Sequence, residues 1–250
     1  RPRLLFTPLK IGNITLKNRI VFSAHLTNYA EDFLPSERHL YYYRERARGG
    51  TGLIITEEQS THPTDHPYEK LIHAFHRRVI PHYRRITTAV HAEGTPILAQ
   101  INHNGGQGSG MFTRLPAWAP SALADPLFRE VAKAVEHEDI LEIIQGYARV
   151  AAYTREGGFD GVELQCSHSS IVRQFLSRNT NQRGDEYGGS LENRARLLRE
   201  IIAAIRNEVG RDYVISVRLC GDELIRDGIT LDETVAVARL LEADGLIDLI

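Results

Sequence analysis

Polar residues gather where each apolar run of this chain gives out. His25 and Thr27 follow the run 19–23, and Glu57 and Glu58 follow 52–56. Gln100 and Asn102 stand at the end of 96–101, Gln165 and His168 after 161–164, and Arg218 and Asp222 at the end of 214–219. Amides that both donate and accept, imidazoles, carboxyls and a permanent cation form an inventory suited to binding and proton chemistry. Any α/β fold has polar strand ends, so the architecture decides whether these residues meet.

Other chemistries lack their residues. His62 and His66 stand four apart, but Pro63 and Pro67 forbid the helix that would put them on one face, so a zinc-protease helix is out. His73, His76 and His82 read as surface residues of a polar segment. Two cysteines, Cys166 and Cys220, are too few for a structural zinc or iron-sulfur site, and no metal is expected. Neither a G-x-S-x-G elbow nor a P-loop is present. The glycines of 105–110 do not fit G-x-G-x-x-G and run toward Pro116 and Pro120 instead of into a helix.

The elements that must hold the polar residues follow from periodicity. Short β-rich runs at 19–23, 52–56, 96–101, 161–164, 214–219 and 246–250 alternate with amphipathic stretches at 36–48, 79–92, 138–155, 191–209 and 231–243. Strict alternation predicts a parallel sheet covered by helices, either doubly wound or closed as a barrel. In an eight-stranded (β/α)8 barrel the polar strand ends share the rim where such enzymes place their chemistry. Six strands are counted where eight are needed, so the expectation is a barrel truncated at the C-terminus.

Composition sets the class. Hydrophobic residues at 42% and charged residues at 25% match an ordinary globular domain. A net charge of −2 gives no basic footprint for nucleic acid, and no run reaches the roughly 20 apolar residues of a membrane helix. A reducing cytoplasm is the simplest compartment for so few cysteines. The segment 102–136 is a long loop of the kind that serves as a lid or binding loop.

The run 181–194, NQRGDEYGGSLENR, resembles almost residue for residue the loop after the fourth strand in the old yellow enzyme family. That family includes the 2,4-dienoyl-CoA reductases and the trimethylamine dehydrogenase group. Similar segments are PLKIG at 8–12, LKNRIV at 16–21, GLIITE at 52–57, AQI at 99–101 and VR at 217–218. The resemblance spans essentially the whole chain. The combination of GQG at 106–108, APS at 119–121 and VRQFLS at 172–177 is similar to the mycofactocin-associated branch.

The resemblance implies residues 1–250 as part of an FMN-binding (β/α)8 TIM barrel that passes hydride between NAD(P)H, flavin and a small organic acceptor. It implies noncovalent FMN, because the cysteine used for covalent attachment is lacking. Gln100 then matches the amide on the flavin pyrimidine edge, and Arg218 the cation beside flavin N1, where it stabilises negative charge as an oxyanion hole does. From the residues alone, Arg218 could instead be a buried salt-bridge partner for Glu163 or Asp160. His168 and Gln165 match the pair that contacts a substrate oxygen, although an amide at 165 cannot deliver a proton. Ser23, Ala24, His25, Leu26 and Glu58 complete the expected cofactor contacts.

The chain also departs from the family pattern. Leu26 offers no hydroxyl or thiol to the flavin, a role left to His25 or Thr27. Ser170 stands where many ene-reductases carry a tyrosine proton donor. The FMN phosphate site, and any iron-sulfur cluster or second flavin, are expected past residue 250. An amine or alcohol dehydrogenase of the same fold and a flavin-free binding module are the alternatives. The expected partners are a small-molecule substrate and no nucleic acid or membrane, with a homo-oligomer left open.

Overall fold

The computed structural model describes residues 3–250. Five strands, β1 (Val21–Phe22), β2 (Leu53–Ile55), β3 (Ile97–Asn102), β4 (Gly161–Cys166) and β5 (Val214–Leu219), lie side by side in chain order. Every neighbouring pair is parallel. A doubly wound sheet reverses its order at a switch point, whereas sequential order throughout is the path of a barrel wall. Between the strands run helices α1 (Glu37–Arg48), α2 (Val79–His91), α3 (His137–Glu156) and α4 (Arg196–Val209). Helix α5 (Leu231–Asp244) follows β5 and starts on a capping box made by Thr230 and Glu233.

Side chains alternate across each strand, so two cores form. Outward-facing Ile97, Ala99, Ile101, Val162, Leu164, Ile215 and Val217 pack against the helices. In α4 the stripe Leu198, Ile201, Ile202, Ile205 and Val209 is buried against them, as its helical spacing predicts. Inward-facing Ile55, Leu98 and Val214 join Leu53 at the amino-terminal end of the barrel interior. Gly161 belongs to this row, in register with both Leu98 and Val214. A Cβ there would stand 2.3 Å from the Val214 carbonyl oxygen, so only glycine lets the strands approach.

The structure corrects the sequence reading at several elements. An antiparallel hairpin, Leu9–Ile11 with Ile14–Leu16, covers the inner apolar rows from below. Its turn needs a positive φ at Gly12, and glycine-asparagine between two alternating runs is the signal that was available. The first strand is only two residues long where five were expected. The helix expected over 191–209 breaks into Leu191–Arg194 and Arg196–Val209 around Ala195. Of the expected strand 246–250, only Leu249 pairs, in a parallel bridge with Ser216. Arg206 secures that segment by bonding the Leu246 carbonyl at 2.7 Å and Asp248 at 2.9 Å. His73 is not a free surface residue: its ring stacks on Phe33 at 4.3 Å and 6°.

Candidate active site

Above the apolar row at the base of the barrel interior the inward-facing residues turn polar. Gln100, Glu163 and Ser216 stand opposite one another in register, and Gln165 and Arg218 form the next row toward the strand ends. Glu163 accepts from Gln100 Nε2 at 2.8 Å and from Ser216 Oγ at 3.4 Å. Burial pushes the Glu163 carboxyl up, opposed by the Gln100 hydrogen bond and the Arg218 charge. Among the described residues no protein donor reaches the Gln100 carbonyl oxygen.

One cavity of about 370 Å³ opens over these rows. Gln100, Gln165 and Arg218 border it from the strands, His168 and Glu58 from the loops that follow, and Ala24, His25 and Leu26 from the segment after β1. Ser23 is exposed and does not border it. Asp160 bonds His91 at 2.8 Å and Glu163 is taken by Gln100, so neither pairs with Arg218. Arg218 is half-buried and forms no ion pair among the described residues. A cation with no carboxylate within ion-pair distance therefore faces a small-molecule-sized hollow.

Gln165 and His168 are coupled through Ser167. The Ser167 hydroxyl donates to Gln165 Oε1 at 2.7 Å and lies 3.2 Å from His168 Nδ1. That directs the Gln165 amide nitrogen toward His168 Nε2, 3.5 Å away. Desolvation, followed by the charges of Arg218 and Arg173, holds the His168 imidazole below its usual range.

Thr27, which the sequence left open for a flavin contact, and Ser170, which stands in place of a tyrosine, are both committed elsewhere. Thr27 donates its hydroxyl to Glu57 Oε1 at 2.5 Å and its backbone N–H to Glu57 Oε2 at 3.3 Å, so it does not replace the group missing at Leu26. Glu57 also lies 2.9 Å from His39 Nε2. The Ser36 N–H donates to His39 Nδ1, so Nε2 carries the hydrogen that faces Glu57. Glu57 therefore anchors the segment after β1 from beneath. Ser170 is fully buried; its hydroxyl bonds the Gln165 carbonyl at 2.6 Å and caps the helix Ile171–Leu176. It offers nothing to the cavity.

Sequence reading missed several groups at the cavity. Tyr68 borders it and donates to Glu58 at 2.7 Å. Burial and the nearby Asp65 raise the Glu58 carboxyl to about 7. Arg173 forms a buried ion pair with Glu223, which ties the helix after β4 to the loop after β5, and donates to Gln107 on the cavity wall at 2.6 Å. Leu127 and Phe128, from the long loop, present apolar side chains at the same cavity and remain 79% and 39% exposed. None of these lies at a strand end, where the sequence signal was sought. Among the described residues no group of three or more His, Cys, Asp or Glu could hold a metal ion, and no helix is long and apolar enough to cross a membrane.

A sequentially ordered parallel sheet with a cavity at its carboxyl ends, lined by both polar and apolar side chains, defines an α/β-barrel protein with a small-molecule site. The chain belongs to the NADH:flavin oxidoreductase / NADH oxidase family, whose model matches residues 4–248. It is 38% identical over 248 residues to the N,N-dimethylglycine/sarcosine dehydrogenase of Chromohalobacter salexigens, covering 98% of this chain and 36% of that protein. The chain thus spans little more than a third of that relative's length. Among solved structures it superposes on 2-naphthoyl-CoA reductase in complex with 2-naphthoyl-CoA with a TM-score of 0.94 at 33% identity, over 98% of this chain and 40% of that one. An old yellow enzyme homologue from Zymomonas mobilis gives 0.90 at 28% identity, over 98% and 72%.

The family uses FMN with NAD(P)H. The residues present suit that group. The Gln100 oxygen without a protein donor and the Arg218 cation without a carboxylate border one cavity, as a polar ring edge that gains negative charge requires.

Proposed function

We propose that the protein carrying this chain is an FMN-dependent oxidoreductase that moves hydride between NAD(P)H, flavin and a small organic acceptor such as an enone or enoyl thioester, with residues 1–250 forming part of its FMN barrel. The observation that carries this reading is that Arg218, without an ion-pair partner, and Gln100, with a free amide oxygen, line the same cavity. FMN, when bound noncovalently there, supplies the hydride chemistry. Arg218 stabilises negative charge at the ring edge. Gln100, held by Glu163, reads the edge with its free amide oxygen. Ala24, His25 and Leu26 line the side reached by the segment after β1, and His168 with Gln165 contacts a substrate oxygen.

Oxidation of an amine is a second reading. It is favoured by the burial of Ser170, which leaves no hydroxyl at the position of the ene-reductase proton donor, and by the likeness to a dimethylglycine/sarcosine dehydrogenase. Anaerobic spectroscopy on the full-length protein separates the readings. The first predicts a yellow protein whose flavin bands NAD(P)H bleaches. Bleaching by a secondary or tertiary amine but not by NAD(P)H supports the second. A colourless protein that gains no colour with added FMN refutes both and leaves a binding module.

A further inference from the structure

The loop between β2 and α2 carries a hydrogen-bonded pair to the cavity, Glu58 and Tyr68. Tyr68 Oη donates to Glu58 Oε1 at 2.7 Å. The other carboxyl oxygen, Oε2, lies 2.6 Å from Asn102 Nδ2. That same nitrogen lies 2.9 Å from the Ser169 carbonyl oxygen, which cannot donate, so the amide orientation is fixed and Oε2 faces a donor at all times. A proton on Glu58 therefore sits on Oε1, toward Tyr68.

Two arrangements follow. With Glu58 ionised, the phenol hydrogen is committed to Oε1. With Glu58 protonated, its own O–H points at Tyr68 Oη, and the phenol hydrogen is released toward the cavity. The surroundings keep both arrangements accessible. Burial and then Asp65 push Glu58 up to about 7, and burial pushes Asp65 up to about 6. Asp65 accepts from Asn104 at 2.9 and 3.1 Å through Oδ1, while its Oδ2 is buried without a partner. Burial and Glu58 hold the Tyr68 hydroxyl well above its usual range, with Asp65 and Glu57 adding to that effect. A lone phenolate is therefore strongly disfavoured, and the phenol can give up its proton only as it receives another. The remaining charged or titratable side chains on this cavity are His25, His168 and Arg218.

We propose that Tyr68 is the proton donor of this cavity and that Glu58 recharges it. The Tyr68 Oη–H bond breaks as a bond forms between that hydrogen and an anionic substrate atom. The Glu58 Oε1–H bond breaks as Oη regains its hydrogen, and the Glu58 carboxylate is reprotonated from solvent. The electron pair arrives as hydride from reduced flavin, so the inference rests on the oxidoreductase reading. It fills the role that buried Ser170 cannot perform.

Infrared difference spectroscopy and stopped-flow kinetics on the full-length flavoprotein test it. A protonated-carboxyl band should titrate near neutral pH, vanish in Glu58→Gln and shift in Tyr68→Phe. With a cyclic enone as oxidant, Tyr68→Phe should slow flavin reoxidation by roughly 10²-fold, the scale of one general acid, beyond any effect on reduction by NAD(P)H. Glu58→Gln should flatten the pH dependence of reoxidation around neutrality. Absence of a titrating band, or equal slowing of both half-reactions in Tyr68→Phe, overturns the proposal while leaving the oxidoreductase reading intact. Wild-type flavin that NAD(P)H does not bleach overturns the NAD(P)H-linked reading as well. If Tyr68→Phe does not fold, the Glu58→Gln band and pH profile decide.

Discussion

Gln100 donates its amide N–H to Glu163 Oε1 at 2.8 Å, across two neighbouring parallel strands in direct register. Glu163 thereby sets which way the amide faces. Glu163→Gln removes this constraint, because a second amide can donate as well as accept. The variant should bind FMN about tenfold more weakly, close to 1.4 kcal/mol. Flavin fluorescence titration of the apoprotein measures it, and unchanged affinity would show that Glu163 does not hold Gln100 for the cofactor.

Arg218 is the group on which the flavin assignment turns. Arg218→Ala should slow flavin reduction by NAD(P)H by roughly 10², the effect of losing one oxyanion donor. Rapid-mixing absorbance at the flavin bands reports it. An unchanged rate would remove the charge-stabilising role from this residue.

His91 and Asp160 give a pH signature far from the cavity. The Asp160 hydrogen bond raises the His91 pKa against the opposing effect of burial. A folded value above the unfolded one, near 6.5, means that this contribution is complete below the unfolded value and disappears as pH rises through the folded one. The pair is partly exposed, so its worth is at most about 1 kcal/mol. Urea denaturation of wild type and His91→Gln should differ more near pH 5.5 than near pH 8. A difference independent of pH would contradict the assignment.

The strands that carry the polar rows were legible because burial makes them continuous apolar runs, and Gln100, Gln165 and Arg218 interrupt those runs near their ends. Their convergence follows from strand order and register. The fate of Thr27 was not legible, since its hydroxyl is taken by Glu57, 30 residues away. Tyr68 escaped notice for a related reason. It lies in an irregular segment with no periodicity, and only the folded path brings it to Glu58. Ser170 could have been read as a helix cap, but the short helix Ile171–Leu176 behind it was not assigned. His73 looked solvent-facing because its neighbours are polar, yet aromatic stacking on Phe33 decides its place.

Leu127 and Phe128 hang from a turn that does not depend on their identity. Asp125 Oδ2 receives both of their backbone N–H groups at 2.8 Å, and the Asp125 carbonyl accepts from Arg129 at 2.8 Å. The apolar surface at the cavity and the turn that carries it are thus separate features, the first made by two side chains and the second held by one carboxylate. A change of side chain at position 127 or 128 can therefore reshape the wall of the cavity while the turn that carries it stays in place.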